Sequence, residues 1–316
     1  MTSSMIIDFS SHLIVPSVAK RIASSTDAGI RWNVPPDNAE VEGRLKLMKK
    51  YAVDMQVLSL NTSAFKGLSV KDAEDICKMT NDSIAEFCNK RPDKFVGLAA
   101  LSLLDVEKAV QELKRAIEDL GFRGAVLATN ESGKGLDSKE YYPIYERACK
   151  YDIPIFLHPT RWGSYPLVDD KMMMIFGWPF DTTQAVWRLI FGGVLDKFPS
   201  LKIVTHHLGG MLPYFNGRIE HYTSFPNPSC KRQSISEYWG QIYSDTAIDG
   251  QFAAFMCGYS FFGPERIVYG TDYPFGPEQG ESYIRENLAG VRAMLIPDEE
   301  KRRILGDNCR RLLRIS

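Results

Sequence analysis

Short apolar runs and longer amphipathic segments alternate along the whole chain. Short apolar runs bounded by polar or turn residues are typical of buried strands. Eight such runs are present, at residues 6–12, 55–61, 95–101, 124–130, 153–158, 201–207, 241–247 and 266–272. Segments with helical periodicity separate them, for example 70–90, where Ile76, Ile84 and Phe87 fall on one side. A strand followed by a helix, repeated eight times, predicts an α/β fold: a single (β/α)8 TIM-type barrel over residues 1–316.

Two connections are longer than such a barrel needs. Residues 14–38 form a polar stretch with a Pro-Pro pair, so we predict a functional loop or lid after the first strand. An insertion is predicted at about 160–181, between the fifth strand and its helix. It contains Trp178, an aromatic residue that would either wall a pocket or pack in the core.

Composition argues against several classes of function. The chain has 316 residues, a net charge of −1, 44% hydrophobic and 24% charged residues, so no charge excess points to nucleic acid or a membrane surface. No apolar run approaches the roughly 20 residues that span a bilayer. The N-terminus lacks the basic start and apolar core of a signal peptide. The six cysteines include no Cys-x-x-Cys pair, which favours reduced thiols in a cytoplasmic enzyme.

Candidate metal ligands cluster at the predicted strand ends. In barrels of this type, the chemistry lies at the carboxyl ends of the strands. The side chains that fall there are Asp8, His12, His158, His206, His207 and Asp272. One histidine alone is more often a surface or satisfied core residue, but four of the chain's five at strand ends, with an aspartate, predict a metal site. Imidazole and carboxylate suit zinc, and also manganese and iron.

Strand alternation adds a geometric expectation for the first of these ends. If residues 6–12 stay extended, Asp8, Ser10 and His12 point to the same face. The same alternation applies to the sixth strand, so the adjacent His206 and His207 must point to opposite faces of it.

Six segments together carry a resemblance to a known family. They are Arg91–Leu98, Leu120–Gly124, Phe156–Pro159, Phe191–Pro199, His207–Pro213 and Gly270–Phe275. In this order they resemble the amidohydrolase superfamily, in the branch that contains 2-amino-3-carboxymuconate-6-semialdehyde decarboxylase and γ-resorcylate decarboxylase. The likeness covers almost the whole chain, and the last three segments together are specific.

The resemblance implies roles for individual positions. His158 would bind the metal, His207 would be the catalytic histidine, and Asp272 would bind the metal and carry a proton. Because His206 faces the other side of the strand from His207, we expect His206 to be a packed or supporting residue. Arg218 matches an arginine that reaches into the neighbouring subunit's site and clamps a substrate carboxylate, which implies a homodimer. The alternative for Arg218 is a solvated surface charge. Asp245 matches a segment of the seventh strand to which we assign a structural or supporting role.

Two further side chains are candidates for substrate binding. Arg31 lies in the long segment after the first strand, where the relatives carry a substrate-binding arginine. Trp178 is the second candidate, from the predicted insertion. For Arg31 the alternative is an exposed residue, and for Trp178 it is core packing.

The sequence departs from the family on the first strand. The family carries His-x-His or Glu-x-His there, whereas this chain has Ser10-Ser11-His12. A serine hydroxyl is a poor zinc ligand, which leaves three hypotheses. One divalent metal, zinc or alternatively manganese, is held by His12, His158 and Asp272 with water in the fourth place; or Asp8 supplies the missing ligand; or the site is metal-free.

These features favour a metal-assisted, non-oxidative decarboxylase. Its substrate would be a small aromatic or unsaturated carboxylate, and no nucleic acid or membrane partner is expected. The first alternative is a hydratase or lactone hydrolase on an anionic ring or dienoate, because water activation uses the same ligands. The second is a metal-free carboxylate-binding pseudoenzyme, which Ser10 favours. The preference for decarboxylation comes from the resemblance.

Overall fold

The computed structural model describes residues 5–25, 36–65, 67–160, 170–223, 228 and 230–315. Its strands are β1 (Ile7–His12), β2 (Met55–Ser59), β3 (Phe95–Ala100), β4 (Gly124–Ala128), β5 (Asn130–Glu131), β6 (Lys134–Gly135), β7 (Pro154–His158), β8 (Lys202–Thr205), β9 (Ile242–Asp245) and β10 (Ile267–Val268). Eight of them form one parallel sheet in the order β1-β2-β3-β4-β7-β8-β9-β10, and β5 and β6 pair separately as a short antiparallel hairpin.

The sheet closes between its last and first strands. The Phe9 backbone N–H donates to the Tyr269 carbonyl at 2.8 Å, and the Asp272 N–H donates to the Ser10 carbonyl at 2.9 Å. These bonds continue the ladder beyond Val268, where the regular part of β10 ends. The prediction of a (β/α)8 barrel is therefore confirmed.

Helices follow the barrel strands and cover the outside of the sheet. The helices are α1 (Pro16–Ser25), α2 (Val41–Tyr51), α3 (Val70–Lys90), α4 (Val106–Glu118), α5 (Tyr142–Tyr151), α6 (Asp170–Met172), α7 (Trp178–Phe191), α8 (Val194–Lys197), α9 (Leu212–Tyr222), α10 (Phe252–Phe262), α11 (Glu281–Ala293), α12 (Asp298–Arg302) and α13 (Asn308–Leu313). Polar side chains start some of them. Ser69 caps α3 by accepting from the Asp72 N–H, and Asp105 caps α4 in the same way.

Large apolar side chains fill the barrel interior. Phe9, Val57, Val126, Phe156 and Val204 are fully buried and belong to one apolar cluster. A second cluster lies between the strands and the helices. The interior is thus a packed core, so a site is expected at the carboxyl end of the barrel.

The structure corrects the predicted loop over residues 14–38. Residues 16–25 form helix α1, and residues 26–35 lie outside the described ranges. The helix forms because Val18 and Ile22 bury one face, while Arg21 on the other side pairs with Asp72 and Asp75 of α3. The polar residues of this segment hid its amphipathic pattern.

The described part of the predicted insertion is helical as well. Residues 170–191 run through α6, a π-helical turn at Met173–Gly177 and α7. The helix expected to begin near residue 182 therefore begins earlier, and Trp178 is its residue at the start of α7. Residues 161–169 are not described.

A buried arginine fastens the end of β1 from behind. The Arg44 guanidinium donates to the Asn38 carbonyl at 2.8 Å, to Ser11 Oγ and Gln56 Oε1 at 2.9 Å each, and to the His12 carbonyl. The residues that accept these bonds are all buried. The guanidinium therefore fixes the backbone from which His12 projects.

Among the described residues, no helix is both long enough and apolar enough to cross a membrane.

Candidate metal centre

A bulge in β1 decides which of its side chains face the barrel interior. Asp8 pairs with Gln56, but Ser11 pairs with Leu58, so Phe9 and Ser10 together stand opposite one residue of β2. The bulge shifts the alternation by one residue. The expectation that Asp8 shares a face with His12 is therefore wrong, because the strand is not regular between them.

Asp8 has its own partners, away from the histidines. Its carboxylate accepts from the Thr271 backbone N–H at 3.0 Å and from the Thr271 hydroxyl at 2.8 Å. Burial raises the pKa of Asp8 to about 7, against the lowering effect of Thr271 and Arg44. Asp8 therefore holds the backbone at Thr271, after the end of β10, and does not lie beside the other candidate ligands.

Four buried side chains from four strand ends meet at the mouth of the barrel. They are His12, His158, His206 and Asp272, and each offers one ligand atom within 4.8 Å of all the others. His12 Nε2 lies 3.0 Å from Asp272 Oδ1, and His206 Nε2 lies 3.3 Å from the same oxygen. The His158 ring centroid is 5.0 Å from that of His12 and 5.2 Å from that of His206.

The atoms that converge here fit a divalent metal ion. His12 Nε2, His206 Nε2 and Asp272 Oδ1 are buried and make no hydrogen bond. Buried polar atoms without a partner are rare and cost free energy. Three imidazole nitrogens and one carboxylate oxygen form a donor set suited to zinc and also to manganese and iron.

The second nitrogen of each ring is held in place. His12 Nδ1 lies 3.1 Å from Ser59 Oγ, and His158 Nδ1 lies 2.9 Å from the Pro159 carbonyl, to which it donates. His206 Nδ1 lies 2.5 Å from Asp245 Oδ2. Such contacts orient histidine ligands of metals by fixing the ring and leaving the other nitrogen for the ion.

Metal binding requires neutral imidazole and ionised carboxylate, and the ionisation states of His158 and Asp272 meet this requirement. Burial lowers the pKa of His158 well below its usual value, and the neighbouring His12 and His206 add to this effect. Burial opposes ionisation of Asp272, yet its contacts with His12 and His206 hold its pKa well below the usual range. Burial disfavours the charged form of His206, but Asp245 and Asp272 outweigh this effect and raise the pKa of His206 to about 10. Without a metal ion the His206 ring is therefore protonated near pH 7, and it must release its Nε2 proton to bind one.

His207 lies beside this cluster but outside it. Its ring centroid is 3.8 Å from that of His206, and the Trp178 ring is parallel to it at 6.3 Å. His207 has a φ of 53°, so the chain turns here and carries the residue out of the strand direction. Burial, reinforced by the nearby His206, lowers the pKa of His207 to about 3, which keeps the ring neutral near pH 7.

A cavity of about 800 Å³ opens above the cluster. His158, His207 and Asp272 contribute to its lining. Aromatic side chains also line it, namely Trp178, Phe275 and Tyr283. Among the lining residues that the structure describes, Lys171 carries the positive charge. Asp249 lines the cavity as well, so the charges of the lining are mixed, and its space and aromatic wall suit a small aromatic molecule.

The other residues predicted to bind substrate lie at different distances from this cavity. Trp178 lines the cavity. Arg218 is exposed on α9, where its guanidinium lies 5.2 Å from the centre of the Tyr222 ring, and it does not line the cavity. Arg31 lies outside the described residues.

Sequence reasoning assigned His206 the wrong direction. Val204 belongs to the apolar cluster that fills the barrel interior, and His206 follows it by two residues, as His158 follows the interior Phe156. The two pairs have the same spacing and face, which is a signal present in the sequence. The prediction failed because it took His207 as the residue that faces the barrel interior, whereas the chain leaves the strand direction at His207.

A (β/α)8 barrel with histidine and aspartate ligands at its strand ends defines a class of metal-dependent enzymes. The family profile described as amidohydrolase matches residues 7–315. The chain therefore belongs to the amidohydrolase family, as its motifs predicted.

Several proteins of known name resemble the chain over most of its length. It is 34% identical to 2-amino-3-carboxymuconate-6-semialdehyde decarboxylase of Dictyostelium discoideum over 239 residues, which are 73% of this chain and 66% of that protein. It is 31% identical to γ-resorcylate decarboxylase of Rhizobium radiobacter over 292 residues, 86% of each chain. These relatives are carboxy-lyases, in agreement with the predicted branch.

A solved structure extends the likeness to the whole fold. A dihydroxybenzoic acid decarboxylase from Polaromonas, with bound manganese and the inhibitor 2-nitroresorcinol, superimposes with a TM-score of 0.79. The match covers 99% of this chain and 98% of the other, at 25% identity.

Proposed function

We propose that the protein is a metal-assisted, non-oxidative decarboxylase of a small aromatic carboxylic acid. The observation that carries the proposal is the buried cluster of three histidines and Asp272 at the floor of an aromatic-lined cavity. The family relationship to decarboxylases supports it.

His12, His158 and Asp272 would hold the metal. When bound, the ion supplies Lewis-acid chemistry by polarising a substrate oxygen. The nitrogen-rich donor set favours zinc, with manganese as the alternative. The manganese of the Polaromonas structure supports the alternative.

Asp272 would move the proton that the reaction needs. Loss of CO2 leaves an electron pair on carbon, which a proton must take up. Asp272 borders both the cluster and the cavity, and its low pKa means that it starts as a carboxylate. For a phenolic acid it would accept the hydroxyl proton and then donate that proton to the carbon that loses CO2. The phenolate regains a proton from water on release.

His207 and the cavity wall would orient the substrate. The neutral His207 ring can donate one hydrogen bond, and its buried Nδ1 makes none within the protein. Trp178 offers a flat face against which an aromatic ring can stack. The ammonium of Lys171 attracts an anion to this mouth.

Arg218 would act on the neighbouring site of a homodimer. Large apolar side chains are exposed on α9, with Tyr214 79% and Tyr222 71% accessible, and on the helix before α7, where Ile175 is 61% accessible. An exposed apolar surface of this kind is typical of a protein interface. Pairing through it would bury α9 and place Arg218 against the partner.

CO2 release by the metal-loaded protein tests the proposed function. Hydroxybenzoates, dihydroxybenzoates and muconate semialdehydes would be screened under nitrogen, with coupled detection of CO2 and chromatography of the organic product. We expect one equivalent of CO2 for each product formed, and loss of turnover in Asp272→Asn with the circular dichroism spectrum unchanged. Hydration or ring opening without CO2, or full activity in Asp272→Asn, would contradict the proposal.

A further inference from the structure

We propose that His206 is the fourth metal ligand, in place of the one that the first strand has lost at Ser10, and that Asp245 is its positioning residue. This inference rests on the proposed metal-assisted function and specifies its ligand set. The ligand would thus have moved from the first strand of the barrel to the sixth, while the number of protein ligands stays at four.

Ser10 cannot serve the cluster. Its side chain is fully buried, and its Oγ makes no hydrogen bond. The hydroxyl lies against the backbone of Gly270: a Cβ added there would be 2.4 Å from Ser10 Oγ. Ser10 therefore fills a small space beside β10, and a neutral hydroxyl brings no charge to a metal.

His206 has the geometry that a ligand needs. Asp245 Oδ2 lies 2.5 Å from His206 Nδ1, and both side chains are fully buried. Asp245 is itself anchored, since its Oδ1 accepts from the Ala247 N–H at 3.2 Å. A carboxylate on Nδ1 fixes the ring with Nε2 directed into the cluster, the arrangement that commonly supports metal-bound histidine.

A structural histidine would look different. A core histidine kept only for packing would have both ring nitrogens hydrogen-bonded. Here Nε2 has no hydrogen bond, although it lies 3.3 Å from the oxygen that His12 Nε2 also approaches. Two nitrogens directed at one carboxylate oxygen, without hydrogen-bond geometry, indicate a common point of coordination.

Charge balance supports the same conclusion. Asp245 and Asp272 place two carboxylates in a buried site. A divalent cation neutralises both, and uncompensated buried charge is costly. The alternative is a permanently protonated His206 that pairs with both carboxylates in a site without metal, and metal binding separates the two.

Metal affinity of adjacent-residue variants tests the inference. His206→Asn keeps a donor near the position of Nδ1, and with it the bond to Asp245, but removes Nε2. The matched control is His207→Asn, at the next residue. Metal content after gel filtration would be measured by elemental mass spectrometry, and Zn²⁺ affinity by competition with a chromophoric chelator. Asp245→Asn and Ser10→Ala complete the set.

We expect His207→Asn and Ser10→Ala to bind Zn²⁺ as the wild type does. Asp245→Asn should bind about 10–100-fold more weakly, the usual effect of losing a support for a ligand, and His206→Asn more weakly still. The visible spectrum of the Co²⁺-substituted protein should change in His206→Asn and Asp245→Asn but not in Ser10→Ala. A merely structural role for Asp245 would leave that spectrum unchanged.

Two results would overturn the inference. One is an unchanged Zn²⁺ affinity and Co²⁺ spectrum in folded His206→Asn, and the other is a wild type that binds no metal even after reconstitution. Failure of the proposed function is separate, because it would appear as intact metal binding through His206 with no CO2 released from any acid tested.

Discussion

Each histidine of the cluster has one neighbour that fixes the direction of its ring. His158 shows this most simply, since its Nδ1–H donates a hydrogen bond to the Pro159 carbonyl and its Nε2 remains for the cluster. The position of His158 at the mouth of the barrel was predicted by the strand-end rule, and its role as a metal ligand was implied by the family resemblance.

Removal of the His158 ring should abolish turnover. His158→Ala deletes one of the converging ligands, so we expect the rate to fall by at least about 100-fold, as for an essential group in metal-assisted catalysis. Lys90→Ala is the control, because Lys90 lies exposed at the end of α3 and belongs neither to the cluster nor to α9. Steady-state CO2 release measures both, and comparable activity in the two variants would remove His158 from the site.

Asp8 gives a prediction about stability and pH. Burial raises its pKa to about 7 in the folded protein, against the ordinary value of 3.8. Between about pH 4 and pH 7 the folded state therefore holds the proton that the unfolded state has lost, so stability falls as pH rises through this window. At about 1.4 kcal/mol per pKa unit the loss amounts to a few kcal/mol.

Asp8→Asn should remove this part of the pH dependence. Urea unfolding of both proteins at pH 4.5 and pH 8 would measure it, with the variant losing less stability than the wild type between the two values. Equal losses in both proteins would show that Asp8 ionises normally in the fold.

At the scale of elements, the sequence predicted the strands and their order but not the irregularity of the first one. Periodicity located all eight barrel strands because each is a compact apolar run. The bulge between Asp8 and Ser11 gave no signal in the sequence. Phe9 and Ser10 both lie opposite Val57, so the alternation of inward and outward side chains is interrupted there. Helix α1 was not predicted for a related reason: only two of its residues, Val18 and Ile22, are buried, so its apolar face is too short to give a clear pattern.

Arg44 of α2 holds the irregular strand β1 in place through its hydrogen bonds. Arg44→Met should lower the free energy of unfolding by about 3 kcal/mol, because buried carbonyl groups of Asn38 and His12 lose a donor. Arg91→Ala is the control, since Arg91 is bound to its exposed neighbour Asp93 and should change stability little. Denaturant unfolding would measure both, and a shift of Arg44→Met as small as that of the control would show that the tie is dispensable.

At the scale of the whole molecule, the proposed dimer explains why Arg218 is absent from the cavity of its own chain. Arg218→Ala and His158→Ala should each be inactive or nearly so. Mixed under conditions that exchange subunits, they should recover about a quarter of wild-type activity, because half of the dimers are mixed and one of their two sites is intact.

Light scattering would establish the oligomeric state alongside this assay. A monomer, or a dimer without recovery of activity in the mixture, would return Arg218 to the surface of its own chain. No sequence pattern could have decided this, since an exposed aromatic helix face reads the same whether water or a partner covers it.

Metal titration of the stripped protein tests the central claim most directly. The protein would be freed of metal with a chelator, and Zn²⁺ or Mn²⁺ would be added stepwise while CO2 release from an accepted aromatic acid is recorded. The account predicts no release without metal and a linear rise that stops at one ion per chain. Equal release from the metal-free protein, or none at full occupancy of the site, would contradict it.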